Sequence, residues 1–176
     1  MSTHDITCCF TGHRPMKLPW GQRETDPRCI AAKDWIKNQI TELYASGYRR
    51  FLCGMAIGCD MYFAEAVLEL KKEHDDILLE AALPCLDQSS RWNNPQKLRY
   101  SALLEQCNSV HTFQNEYSPG CMQQRNKYMV DESAAILSCF DGRPGGTMST
   151  LLYAQRQGLD VRILDVSDIT TEKYGE

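Results

Sequence analysis

The sequence predicts an α/β fold built on a mainly parallel sheet, and three features point to it. Short apolar runs alternate with longer amphipathic segments from one end of the chain to the other. Each run is nearly continuously apolar, as expected of a strand covered on both faces. No linker, low-complexity tract or internal repeat interrupts the alternation. Together these predict one Rossmann-like domain over residues 1–176, with a sheet of about six strands and helices on both faces.

The elements follow in order. Ile6–Phe10 reads as the first strand. Asp26-Pro27 then supplies an N-cap and a first-turn proline, Ile36, Ile40, Leu43 and Tyr44 share one helical face, and Gly47 closes the helix. Arg50–Cys53 is the second strand. The helix after it spans Asp60–Glu73, with Phe63, Val67 and Leu70 on one stripe. Ile77–Leu83 and Ser109–Phe113 are the next strands, each followed by a cap-then-proline signal, Asn94-Pro95 and Ser118-Pro119, that opens a helix. Ala134–Phe140 precedes a last helix marked by Met148, Leu151, Leu152 and Gln155 and ended by Gly158. Val161–Val166 closes the sheet. The long connections are Gly12–Asp26 and Gln88–Asn94, and loops of that length in a compact domain are often functional.

Composition narrows the classes. With 43% hydrophobic and 24% charged residues over 176 positions, the chain has a core to bury and is neither disordered nor fibrous. Nineteen Lys and Arg against twenty-three Asp and Glu give a net charge of −4. That charge disfavours nucleic acid as a partner, although a local basic patch is compatible with it. The longest apolar runs fall far short of the ~20 residues that span a bilayer, so no membrane partner is expected. MSTHDITCCF lacks a basic segment followed by a long apolar stretch, so the expected location is the cytoplasm. Nine cysteines, an odd number without an export signal, argue against a disulfide framework. Cys8, Cys9, Cys53 and Cys139 fall inside predicted strands, where a thiol acts as a small core hydrophobe. No CxxC pair or zinc-like histidine spacing is present, so no metal is expected.

In an open α/β sheet, ligands bind beyond the carboxyl ends of the strands, where strand order reverses. The residues after each predicted strand are therefore the candidates: Thr11-Gly12-His13-Arg14-Pro15, Gly54-Met55-Ala56-Ile57-Gly58-Cys59-Asp60, Arg91-Trp92, and Gly145-Gly146-Thr147. Glycine lets the backbone approach a ligand, and the first N–H groups of a following helix attract an anion. Neither glycine loop is a Walker A motif or a GxGxxG fingerprint, and turn geometry alone also demands glycine. Arg14 and Arg125, with Asn126 beside it, bring polar groups to where a phosphate would lie; the competing reading is an ion-paired surface arginine. His13 is an acid–base candidate or a structural hydrogen-bonding loop residue. Asp60 is a ribose-hydroxyl acceptor or a helix N-cap. Trp92 stacks on a base or is tucked under its loop.

These motifs carry a family resemblance. TGHRP, GMAIGCDMYFAE and MQQRNKYMVDESAAILSCFDGRPGGT, in that order, resemble the YpsA/YoqJ-like family of the SLOG superfamily, which also holds the DprA/Smf and LOG proteins. The resemblance runs from about Ile6 to Leu164. It implies a Rossmann-like fold with a strand-end pocket for a nucleotide or nucleotide-derived ligand, such as ADP-ribose or an NAD-like molecule. No cofactor is required. Gly12, Gly54 and Gly58 match glycine-bearing turns of LOG proteins. Met122-x-x-Arg125 matches their MxxRK-like helix, with Asn126 in place of the lysine. Pro144-Gly145-Gly146-Thr147 resembles a shortened PGGxGTxxE loop, and Thr150 stands where the catalytic glutamate would be. Glu65 fits the YpsA-like pattern at a different position.

The expectation is a nucleotide-binding sensor or regulator, with catalytic residues unassigned. The alternatives are an enzyme acting at a ribosyl carbon through Asp60, Glu65 or Asp141, and a single-stranded DNA binder, which the acidic charge disfavours. Homo-oligomerisation is left open.

Overall fold

The computed structural model describes residues 2–171. Strand β1 (Thr7–Gly12) is flanked on one side by β2 (Arg50–Cys53) and on the other by β5 (Ala135–Phe140). Beyond β2 lie β3 (Leu78–Leu83) and β4 (Ser109–Thr112), and beyond β5 lies β6 (Asp160–Asp165). All pairings are parallel, giving a six-stranded sheet in the order β4-β3-β2-β1-β5-β6. The chain steps outward from β1 in one direction, then returns past it to build the other half.

Helices α1 (Pro27–Ala45), α2 (Cys59–Lys71) and α3 (Asn94–Glu105) cover one face, while α4 (Cys121–Asp131) and α5 (Gly146–Arg156) cover the other. The pleat explains how the central strands serve both layers, because successive side chains point to opposite faces. Cys8 and Phe10 enter the core beneath α1 and α2, where Phe10 stacks on Phe63 with ring centroids 4.9 Å apart. Cys9 points the other way, to Met129 and Leu151 of α4 and α5. Burial pushes the Cys9 thiol up to about 12, so at neutral pH it is an inert core group. All nine cysteines are free thiols, and all but Cys107 are buried.

Local chemistry sets the helix ends. Asp26 caps α1, its carboxylate accepting the Arg28 N–H at 2.9 Å, and Pro27 needs no amide partner in the first turn. The cap of α3 is Asn93, a residue earlier than the Asn94-Pro95 signal suggests, in a reciprocal capping box with Gln96. Helix α4 begins after Ser118-Pro119 rather than at it. Those residues form a turn in which Ser118 O accepts the Cys121 N–H, and Gly120, at φ +88°, caps the helix. Helix α2 starts at Cys59 with Gly58 as its cap, so Asp60 is not the capping residue.

Burial on both faces holds for β1, β2 and β5 but fails at the edges. Ser109, Val110 and His111 of β4 are exposed, as are Asp160, Ile163 and Asp165 of β6. An edge strand has a neighbour on one side only, and its helical cover thins out there.

Candidate functional site

The order reverses between β1 and β5, whose carboxyl ends lie side by side with Gly12 opposite Cys139. The loops after them, one leading to α1 and the other to α5, therefore flank a single crevice. His13 is tied into its floor. Its N–H donates to Cys139 O at 3.1 Å, its carbonyl accepts the Cys59 N–H at 3.2 Å, and its Nε2 lies 2.8 Å from Asp141 Oδ1. Burial pushes the Asp141 carboxyl up, but the bonds from His13 and the Arg143 N–H outweigh it and hold the acid below its usual range. The imidazole is only 3% exposed, so its orientation is fixed by the carboxylate.

Arg125 sits just over one turn into α4, not two, and is buried. Nη1 donates to Gly54 O at 2.6 Å and to Ala82 O at 3.1 Å, and Nε donates to Asn126 Oδ1 at 2.8 Å. The guanidinium thus ties together the carboxyl ends of β2 and β3. A Cβ at Gly54 would collide with it, so the glycine is required by the protein's own arginine rather than by a ligand. Asp60 is also buried, and one carboxylate oxygen accepts the Ala56 N–H at 3.1 Å. Burial raises the Asp60 carboxyl, against the opposing pull of the Arg125 charge.

The glycine loops therefore part company. At the start of α2 the loop after β1 lies directly over the helix end. A Cβ on Gly58, whose φ is +94°, would meet His13 O at 2.8 Å and Pro15 Cδ at 2.9 Å. The first turn of α2 is thus covered. At the start of α5 no side chain caps the helix, and a Cβ on Gly146 would meet nothing within 4 Å. Its first N–H groups lack intrahelical acceptors, as at any helix start, and Gly146 and Thr147 line the crevice.

A cavity of about 230 Å³ opens here and brings together Thr11, Gly12, His13, Arg14, Ala56, Asp60, Arg125, Asn126, Gly146 and Thr147. The other candidates lie elsewhere. Gly54 and Met55 are buried, Met55 in a left-handed conformation at φ 59°. Pro15 and Gly58 line a separate concavity with Glu24 and Arg99. Gly145 lines a groove between α4 and α5 together with Thr150, whose hydroxyl donates to Gly146 O at 2.9 Å. Arg91 and Trp92 line an adjoining cavity that shares Arg14 and Met122 with the first. Glu65 is bound by Arg99 at 2.6 Å and lies outside the crevice.

A charged lining residue escapes the sequence patterns. Lys17 ends the 3-10 turn Pro15–Lys17 after β1, and its Nζ comes 3.2 Å from where a Gly145 Cβ would stand. Its only sequence signal is Pro15, which starts that turn. Among the described residues neither Lys17 nor Arg14 has an ion-pair partner. The crevice therefore combines an unpaired Lys17, and an Arg14 whose charge is felt only at a distance by Asp60, with an open helix N-terminus, an arrangement that attracts an anion.

Comparison with known proteins bears on the family and the fold. A family model described as the YspA SLOG family matches residues 8–171. The SPbeta prophage-derived protein YoqJ of Bacillus subtilis is 32% identical over 144 residues, 74% of this chain and 84% of its own. DNA processing protein A of Streptococcus pneumoniae superposes with a TM-score of 0.60 at 12% identity, over 92% of this chain and 50% of that one. The Helicobacter pylori protein of the same name, solved for its single-stranded DNA binding mode, gives 0.58 at 16% identity over 90% and 64%. This chain thus spans half of the first solved protein and under two thirds of the second, and the likeness to them is one of fold. The DNA-processing neighbours do not fit the expectation, drawn from net charge, that nucleic acid is disfavoured as a partner.

Proposed function

The chain belongs to the YspA SLOG family, and from that premise we propose that it binds a nucleotide or nucleotide-derived ligand in the crevice between β1 and β5, as a sensor or regulator. The observation that carries this reading is the open start of α5, in a crevice lined by Lys17 and Arg14, neither of which has a salt-bridge partner among the described residues. A phosphate there would accept from the Gly146 and Thr147 N–H groups and be neutralised by the two side chains. His13, Asp60 and Asn126 would surround the sugar with hydrogen-bonding groups.

Catalysis at the ribosyl carbon has less support. Thr150 carries no charge, and its hydroxyl is already engaged with Gly146 O. Asp60 lines the cavity, but its carboxyl is bonded to the Ala56 N–H. A well-placed acid–base group contributes about 10²–10⁴ in rate, so release of adenine from AMP should stay near background. Robust release by the wild-type protein would promote the enzyme reading.

Calorimetry with AMP, ADP, ADP-ribose and NAD tests the binding. Lys17→Ala should weaken binding about tenfold or more, the scale of one charged hydrogen bond. Gly146→Val, which fills open space rather than protein, should do the same. Unchanged binding in both folded variants would place the phosphate elsewhere.

A further inference from the structure

The two ring nitrogens of the buried His13 face different surroundings. Nε2 lies 2.8 Å from Asp141 Oδ1. The Asp141 carboxyl, held below its usual range, is ionised at neutral pH and accepts, so Nε2 carries the proton. In the neutral ring the lone pair is then on Nδ1. That nitrogen has no hydrogen-bond partner among the described residues. Nor is it one of the buried unpaired polar atoms, which are Gln88 Oε1, Tyr100 Oη and Ser138 Oγ. Nδ1 is therefore open to the crevice that His13 lines. Phe140 packs edge-on against the imidazole at a centroid distance of 5.6 Å, and this contact and the carboxylate together fix the direction of the lone pair.

A buried imidazole oriented by a carboxylate, with its other nitrogen free, is the arrangement of a general base. The neighbours of Nδ1 set its target. The same cavity of about 230 Å³ holds the Gly146-Thr147 helix start, Lys17 and Arg14, which draw the charged end of a nucleotide. Between a terminal phosphate held there and the sugar lies the phosphoanhydride. Asp60 lines the cavity too, with one oxygen bound by the Ala56 N–H, and Arg125 lines it with its guanidinium tied to backbone carbonyls. A carboxylate such as Asp60 repels the diphosphate it would have to approach, whereas a neutral imidazole does not.

Resting on the nucleotide reading above, we infer that the crevice hydrolyses the phosphoanhydride of a nucleoside diphosphate, with His13 as the general base and Asp141 as its positioning residue. Nδ1 takes a proton from a water molecule, and the water oxygen attacks the phosphorus bonded to the ribose. The new O–P bond forms as the bond from that phosphorus to the bridging oxygen breaks. The bridging oxygen and its electron pair leave with the terminal phosphate. The helix start, Lys17 and Arg14 stabilise the charge that builds on this leaving group. The products are a nucleoside monophosphate, inorganic phosphate and the proton that His13 returns to solvent.

Phosphate release from ADP by the full chain in ¹⁸O-labelled water tests it, with calorimetry of ADP binding alongside. The wild-type protein should release phosphate and place the label in AMP. His13→Gln keeps the backbone bonds of residue 13 to Cys139 and Cys59, and should lower kcat about 10²-fold or more with KM little changed. Asp141→Asn should act in the same direction, because an amide that donates to Nε2 moves the ring proton to Nδ1 and removes the base. Binding of ADP without release would overturn the activity and leave the nucleotide reading intact. Equal kcat in the wild type and both variants, or a raised KM with kcat unchanged, would overturn His13 as the base. Label in the inorganic phosphate would overturn attack at the ribose-side phosphorus. Neither binding nor release would overturn both readings.

Discussion

A Cβ at Gly54 would fall on the Arg125 guanidinium, while a Cβ at Gly146 would point into open space. Gly54 follows β2 and Gly146 opens α5, and nothing in the sequence around either says which of the two turns is filled. What separates them is a side chain from α4, distant in the chain, that fills one turn and leaves the other empty. The contrast gives a prediction in urea unfolding. Gly54→Ala should destabilise by about 1–3 kcal/mol, the cost of forcing atoms into a packed site, while Gly146→Ala should change stability by less than about 0.5 kcal/mol. Asp141 offers a second test. Its carboxyl is held below the usual range in the folded protein, so it binds its proton more weakly there than in the unfolded chain. Its stabilising contribution is complete above the unfolded value of about 4 and fades as pH falls through the lower folded value. Asp141→Asn should therefore be the less stable protein at pH 6. Its deficit should shrink below about pH 4, read from urea midpoints across that range. A deficit independent of pH would mean that Asp141 acts through shape alone. His13 and Asp141 were both in view from the sequence, His13 with an acid–base or a structural role open to it. Their contact was not, because it joins loops 128 positions apart.

At the scale of elements, what was legible is what is local. The α1 start could be read from Asp26-Pro27 because cap and proline act within a single turn. Asp26→Ala should cost about 1 kcal/mol through loss of that cap, with thermal unfolding as the measure. An unchanged melting temperature would show that the Pro27 geometry suffices. The start of α4 was harder to read, because Ser118-Pro119 is a good cap signal that the chain uses for a turn instead. The exposed β4 was harder still. Ser109–Phe113 is a short run with Val110 and Phe113 in it, and nothing within it says that the strand will sit at an edge. There His111 stacks on Tyr128 at 5.0 Å, so part of its cover comes from an α4 ring rather than from a neighbouring strand.

Across the whole molecule, the order β4-β3-β2-β1-β5-β6 is what turns scattered loops into a site. Alternating strands and helices predicted the parallel sheet, but alternation alone does not fix which strands become neighbours. The reversal beside β1 places the His13 loop against the start of α5, and the 3-10 turn after β1 then carries Lys17 across to Gly145. On the proposed function, this helix start, and not the covered start of α2, receives the phosphate. The most direct test is a titration of the ¹⁵N-labelled chain with ADP, followed amide by amide. The largest shifts should fall on Gly146 and Thr147, with Gly58 and Cys59 nearly unmoved. Shifts centred on Gly58 and Cys59, or none at Gly146 when ADP is bound, would contradict it.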